Sequence, residues 1–105
     1  MHEKFYKICW RVPILMGLYG TWTNVEPAGY ATKEEAYEAM KKLADNLCKQ
    51  IETTYMTKLK QYNYKMVEPT ALDCKYPIVY RAVLISENIF TFESTPIGYI
   101  QVFEA

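Results

Sequence analysis

A chain of 105 residues, half of them apolar and 23% charged, has the size and composition of one folded domain and is too hydrophobic to be a disordered segment. Twelve basic and twelve acidic side chains cancel, which excludes a global field toward nucleic acid or an anionic membrane, so any such binding must be local. No apolar run reaches the ~18 residues of a membrane span, MHEKFYKICWRV has no apolar core after a basic start, and Cys9, Cys48 and Cys74 are the wrong arithmetic for a disulfide scaffold. Together these readings predict a cytoplasmic protein.

The first element is a half-buried strand over Lys4 to Val12. It places Tyr6, Ile8, Trp10 and Val12 on one face and Phe5, Lys7, Cys9 and Arg11 on the other. Pro13 removes a ladder donor and ends it or displaces it to an edge. The uncharged run Val12 to Val25, which contains PILMGLYGTWTN, admits two readings. In one, Ile14, Leu15, Met16 and Leu18 fold under to close the core, with Leu18 to Val25 pairing back on the first strand. In the other, Tyr19 and Trp22 stand at the tip of a hairpin hinged at Gly17 and Gly20, as anchors for a partner.

Glu26 to Gly29 reads as a turn, and Thr32-Lys33-Glu34-Glu35 has the spacing of a capping box, which predicts a helix from Lys33. Its apolar stripe is Ala36, Met40, Leu43, Ala44, Leu47, Cys48, Ile51, Tyr55, Leu59 and Tyr62. Unbroken to about Tyr62 the helix would be roughly 45 Å long, with the β-branched pair Thr53-Thr54 as the expected kink. The fragment Gly29 to Ala36 resembles the turn-then-helix entry of small sheet-plus-helix modules such as the arm-binding domains of phage-type integrases. The likeness covers about eight residues and follows from capping alone. Those domains present a basic sheet, whereas this chain is neutral, with Glu87, Glu93 and Glu104 toward its end.

Val67 to Tyr76 reads as a loop. Ile78 to Ser86, apolar on both faces apart from Arg81, reads as a central strand, Glu87-Asn88 as a turn, and Ile89 to Glu93 as a short strand or excursion. Thr95-Pro96 is a further break, and Ile97 to Glu104 alternates as the final strand. The expected fold is a single α+β domain over 1–105: an antiparallel sheet of three to five strands in β-β-α-β-β order, with one long helix packed on one face. Tyr6, Ile8, Trp10, Ile100 and Val102 should meet Leu43, Leu47 and Ile51. The other face, with Phe5, Cys9, Val79 and Phe103, is too apolar to be idle.

The residues offer little chemistry. His2 is the sole histidine, the cysteines lack CxxC spacing, Ser86 and Ser94 lie outside any GxSxG elbow, and four glycines form no phosphate-binding motif. No catalytic residues, metal or cofactor are expected, and the chain does not read as an enzyme. Ten tyrosines and two tryptophans supply rings suited to interfaces. Tyr19, Trp22, Tyr55, Tyr62 and Tyr64 are therefore the expected partner-binding residues. The expected function is a small non-enzymatic protein-binding module, an inhibitor or accessory factor such as a phage-encoded antagonist of a host enzyme. One alternative is nucleic-acid binding by the segment 53–67, where Lys58, Lys60 and Lys65 are interleaved with tyrosines. The other is a homodimer formed by pairing of sheet edges. No membrane partner is expected.

Overall fold

The computed structural model describes residues 5–13, 23–24, 29–55, 58–69 and 77–104. The elements are β1 (Tyr6–Arg11), β2 (Thr23–Asn24), α1 (Lys33–Tyr55), β3 (Lys60–Val67), β4 (Ile78–Asn88) and β5 (Ser94–Glu104). All strand pairings are antiparallel, in the order β2-β1-β5-β4-β3. β2, described over Thr23–Asn24, pairs on the outer edge of β1, and β1, β5, β4 and β3 are the longer strands among the described residues. The α+β class and the antiparallel sheet stand as expected.

The element order does not. Three strands follow the helix among the described residues, so β-β-α-β-β is corrected: the last residues expected of the helix, Lys60 to Tyr62, begin β3. Tyr55, Leu59 and Tyr62 continue the helical spacing of four and three, but Tyr62, Tyr64 and Met66 also alternate with Gln61, Asn63 and Lys65. Tyr62 satisfies both periods, so the pattern is locally ambiguous. Long-range pairing decides it, since all eight residues of β3 find partners on β4, from Lys60 opposite Asn88 to Val67 opposite Arg81. α1 stops at Tyr55, directly after Thr53-Thr54, and the Thr54 hydroxyl donates to the Gln50 carbonyl at 2.7 Å. The expected kink is thus the end of the helix. At 23 residues it is about 35 Å long.

The start of α1 follows its capping sequence. The Glu35 amide donates to the Thr32 hydroxyl at 3.1 Å, satisfying one of the first-turn amides that lack an intrahelical partner. Two residues earlier, Tyr30 and Tyr6 exchange backbone hydrogen bonds at 2.8 and 2.7 Å, which ties the helix entry to β1. Gly29 makes that approach with φ 79°, a left-handed conformation that glycine adopts without steric cost.

The core lies between α1 and one face of the sheet. Tyr6, Ile8, Ala82, Leu84, Ile100 and Val102 from the strands meet Ala36, Met40, Ala44, Leu47, Cys48 and Ile51 from the helix. The expected core residues are in place, with Trp10 and Leu43 half-buried at its margin. The final strand begins at Ser94 rather than Ile97, and the break expected at Thr95-Pro96 is a bulge inside it. Leu84 pairs with Gly98 but Ile85 pairs with Pro96, leaving Ile97 as the extra residue. Gly98 is required at this bend, because a Cβ there would lie 2.8 Å from both the Arg11 carbonyl oxygen and Val12 Cγ2. Of the second strand expected over Leu18 to Val25, Thr23 and Asn24 pair with Trp10 and Cys9. The expectations for Ile14 to Trp22 lie outside the described residues.

Candidate functional site

The segment read as a short strand or excursion, Ile89 to Glu93, is the turn that joins β4 to β5. Asn88 organises it. Its side-chain oxygen accepts the amides of Phe90 at 2.9 Å and Thr91 at 3.1 Å, its carbonyl accepts the Phe92 amide at 2.8 Å, and its own amide donates to the Glu93 carbonyl at 2.9 Å. Asn side chains favour such turns because they bond to amides two and three residues on. The tight turn places Phe92 at φ 61°, a left-handed conformation unfavourable for a bulky side chain. Both phenylalanines point into solvent, Phe90 71% and Phe92 74% exposed.

The rest of this end of the molecule is also apolar. The Ile89 amide donates to the Leu59 carbonyl at 3.0 Å, which joins the turn to the segment after α1. Leu59 is 54% exposed and Tyr55, at the helix terminus, 48%. Among the described residues, the exposed large apolar side chains are Phe5, Tyr55, Leu59, Met66, Ile89, Phe90 and Phe92, and all but Phe5 and Met66 belong to this one end. Isolated exposed apolar residues need no explanation; a contiguous group does. The sequence singled out Tyr55 but not Phe90 or Phe92. Their signal was Asn88 at the start of a turn carrying two rings in alternation.

The other expected site residues separate. Tyr62 and Tyr64 are half-buried and pack against the core from β3. Burial, and then the Asp45 carboxylate, raises the Tyr64 phenol above its usual pKa. Lys65 follows Tyr64 in the alternation and points to the opposite face, away from α1. Lys58 precedes the strand, and Lys60 is its first residue. The lysine and tyrosine interleaving of 53–67 therefore does not build one surface from Lys65, Tyr62 and Tyr64. Tyr19 and Trp22 lie outside the described residues.

On the face away from α1, strand register assembles groups far apart in sequence. Arg11, Tyr99, Val83 and Lys65 form one row across β1, β5, β4 and β3. Arg81 sits diagonally from Tyr99, with its guanidinium carbon 4.5 Å from the ring centroid, within cation–π range. A hollow of about 450 Å³ opens here, floored by Val67, Val83 and Ile85 and flanked by Pro96 and Tyr99. Among the described residues, Lys65, Arg81 and Glu68 are the charged ones that line it.

Lys41 and Cys48 have structural settings. Lys41 sits 3.3 Å from Glu38 and 5.1 Å from the centre of the Tyr37 ring, and Tyr37 leans on Tyr80 with centroids 5.0 Å apart. Burial, followed by the Asp45 and Glu52 carboxylates, pushes the Cys48 thiol up to about 11, so it is not a ready nucleophile. Among the described residues, no three His, Cys, Asp or Glu side chains cluster to hold a metal ion, and no helix is long and apolar enough to cross a membrane. No family model, curated protein or solved structure matches this chain.

Proposed function

We propose that the chain is a small non-enzymatic protein-binding module of the cytoplasm, an inhibitor or accessory factor in kind, with a phage-encoded antagonist of a host enzyme as one such role. The observation that carries this reading is the concentration of exposed apolar side chains at the β4–β5 turn. Phe90 and Phe92 are displayed on a short turn whose backbone is held by Asn88. A ring offered from an ordered turn loses little conformational freedom on docking, which is how a few residues come to dominate an interface. With roughly 70% of each ring still exposed and about 1.5–3 kcal/mol for complete burial of one Phe, the pair offers about 2–4 kcal/mol to a partner's pocket. That is roughly 30-fold in Kd at the lower bound. Cytoplasmic residence is supported by the buried thiols of Cys9 and Cys48, which suit a reducing compartment.

The test is affinity capture from the native host with the wild-type chain and with the Phe90→Ser, Phe92→Ser pair. A partner held saturably by the wild type should be lost or weakened at least 30-fold. Equal retention by a variant with an unchanged circular-dichroism spectrum would overturn the assignment of the site.

A second reading, self-association, is favoured by β3. It is an eight-residue strand at the sheet edge, with no proline and with β4 as its paired neighbour, and such an edge is a template for a second copy. Light scattering that returns a monomer mass at micromolar concentration would eliminate this reading.

A further inference from the structure

Backbone parity fixes which groups β3 offers along its outer edge. The Leu59 carbonyl accepts the Ile89 amide at 3.0 Å, and the pairing continues from Lys60 opposite Asn88 to Val67 opposite Arg81. Hydrogen-bonded pairs alternate along an antiparallel ladder, so Gln61, Asn63, Lys65 and Val67 turn their backbone groups toward β4, and Tyr62, Tyr64 and Met66 turn theirs outward. The Tyr64 amide shows this directly, since it donates to the Asn63 side-chain oxygen at 2.9 Å. Among the described residues no strand pairs on this edge, and β3 contains no proline. Such an edge can receive a further antiparallel strand, and residues directly opposite across the new ladder share a face of the sheet.

We infer that two copies of the chain join β3 to β3 about a two-fold axis at Asn63, which rests on the self-association reading and gives it a register. Ladder bonds form only where outward-facing residues meet outward-facing residues, and two such registers keep nearly all of β3 paired, centred on Asn63 or on Tyr64. Centred on Tyr64, apolar Val67 would meet polar Gln61. Centred on Asn63, like meets like: Tyr62 lies opposite Tyr64, Leu59 opposite Val67, and Asn63 opposite itself. Charge favours the same register. Lys65 arrives opposite Gln61 of the second copy, whose Nε2 donates to Glu87 Oε1 at 3.5 Å. The ammonium thus comes beside that carboxylate, with about 10 Å between the two Cα atoms across two strand spacings, a gap that a lysine and a glutamate side chain close together. The Tyr64 amide exchanges its local bond to Asn63 for the Tyr62 carbonyl of the second copy, and the Asn63 side chain is released to meet its own copy on the axis.

Light scattering and disulfide trapping of the full chain test this, the trapping in a Cys74→Ser background that keeps the buried Cys9 and Cys48. The mass should be that of a dimer at micromolar concentration. Across the axis the two copies of residue 63 form a non-hydrogen-bonded pair with Cα atoms about 4.5 Å apart, inside disulfide range, so Asn63→Cys should oxidise to a covalent dimer. The two copies of residue 65 lie about 13 Å apart along the ladder, so Lys65→Cys should not trap alone but should trap when mixed with Gln61→Cys. All three positions are exposed, so these substitutions leave the core intact. Lys65→Glu should weaken the dimer about fivefold through its two symmetric contacts, and adding Glu87→Lys should restore it. The Phe90→Ser, Phe92→Ser pair should dimerise as the wild type does, which separates the edge from the turn. A monomer mass would overturn self-association and this register together. A dimer that fails to trap through Asn63→Cys, traps through Lys65→Cys alone, ignores Lys65→Glu or is lost in the phenylalanine pair would overturn the register and leave self-association standing.

Discussion

Phe92→Gly and Phe92→Ala together measure the backbone strain stored in the β4–β5 turn. With Phe92 74% exposed, only about a quarter of its side chain is in contact, so truncation forfeits about 0.5 kcal/mol of burial out of the ~1.5–3 kcal/mol for a complete Phe. The left-handed φ of 61° costs an L-residue about 1–2 kcal/mol. Glycine removes that cost but loses about 0.5–1 kcal/mol more backbone entropy than alanine on folding. The difference leaves Phe92→Gly more stable than Phe92→Ala by about 0.5–1 kcal/mol, the reverse of the usual order, and close to wild type once the lost burial is included. Urea unfolding at constant slope should show the glycine variant about half a molar above the alanine variant in midpoint. If alanine is equal to or more stable than glycine, Phe92 does not adopt the left-handed conformation, and the argument that the turn is held in a strained, displayed form fails.

Two further predictions concern the sheet and the helix. Gly98→Ala should destabilise the chain by about 1–3 kcal/mol, as overpacking does, because the new methyl meets the Arg11 carbonyl at 2.8 Å; a thermal midpoint within a degree of wild type would contradict the close approach of β1 and β5. Cys48, raised from 9.0 to about 11, retains its proton in the fold at pH values where the unfolded chain loses it. Its contribution to stability is therefore complete below about pH 9 and lost as pH rises through about 11. Cys48→Ala should flatten the alkaline fall in unfolding free energy over that window, and rapid alkylation of Cys48 in the folded chain near neutral pH would contradict its burial.

How much of this was legible beforehand depended on how local each signal was. Thr32 and Glu35 fix the start of α1 within four residues, and the cap forms as the spacing requires. The alternation from Tyr6 to Trp10 and from Ile100 to Val102 likewise identified strand faces that do meet α1. The error lay at the start of β3, Lys60 to Tyr62, where Tyr62 fits both a helical and a strand period and the choice belongs to β4, which is eleven residues from β3 in sequence at its nearest. The candidate surfaces were less legible still. Phe90 and Phe92 were visible as rings but not as exposed ones, since exposure depends on the Asn88 turn lying beyond the end of the core. The row from Arg11 through Tyr99 and Val83 to Lys65 exists only because four strands are in register.

The sequence by itself determined the class of the fold, the helix that starts at Lys33 and the apolar faces that form the core, because capping and periodicity act over a few residues and need no distant partner. Tertiary structure decided where α1 stops, that β3 exists, and which aromatic and basic side chains share a surface. Those outcomes rest on hydrogen bonds between segments that are distant along the chain, and neither segment's own pattern specifies its neighbour.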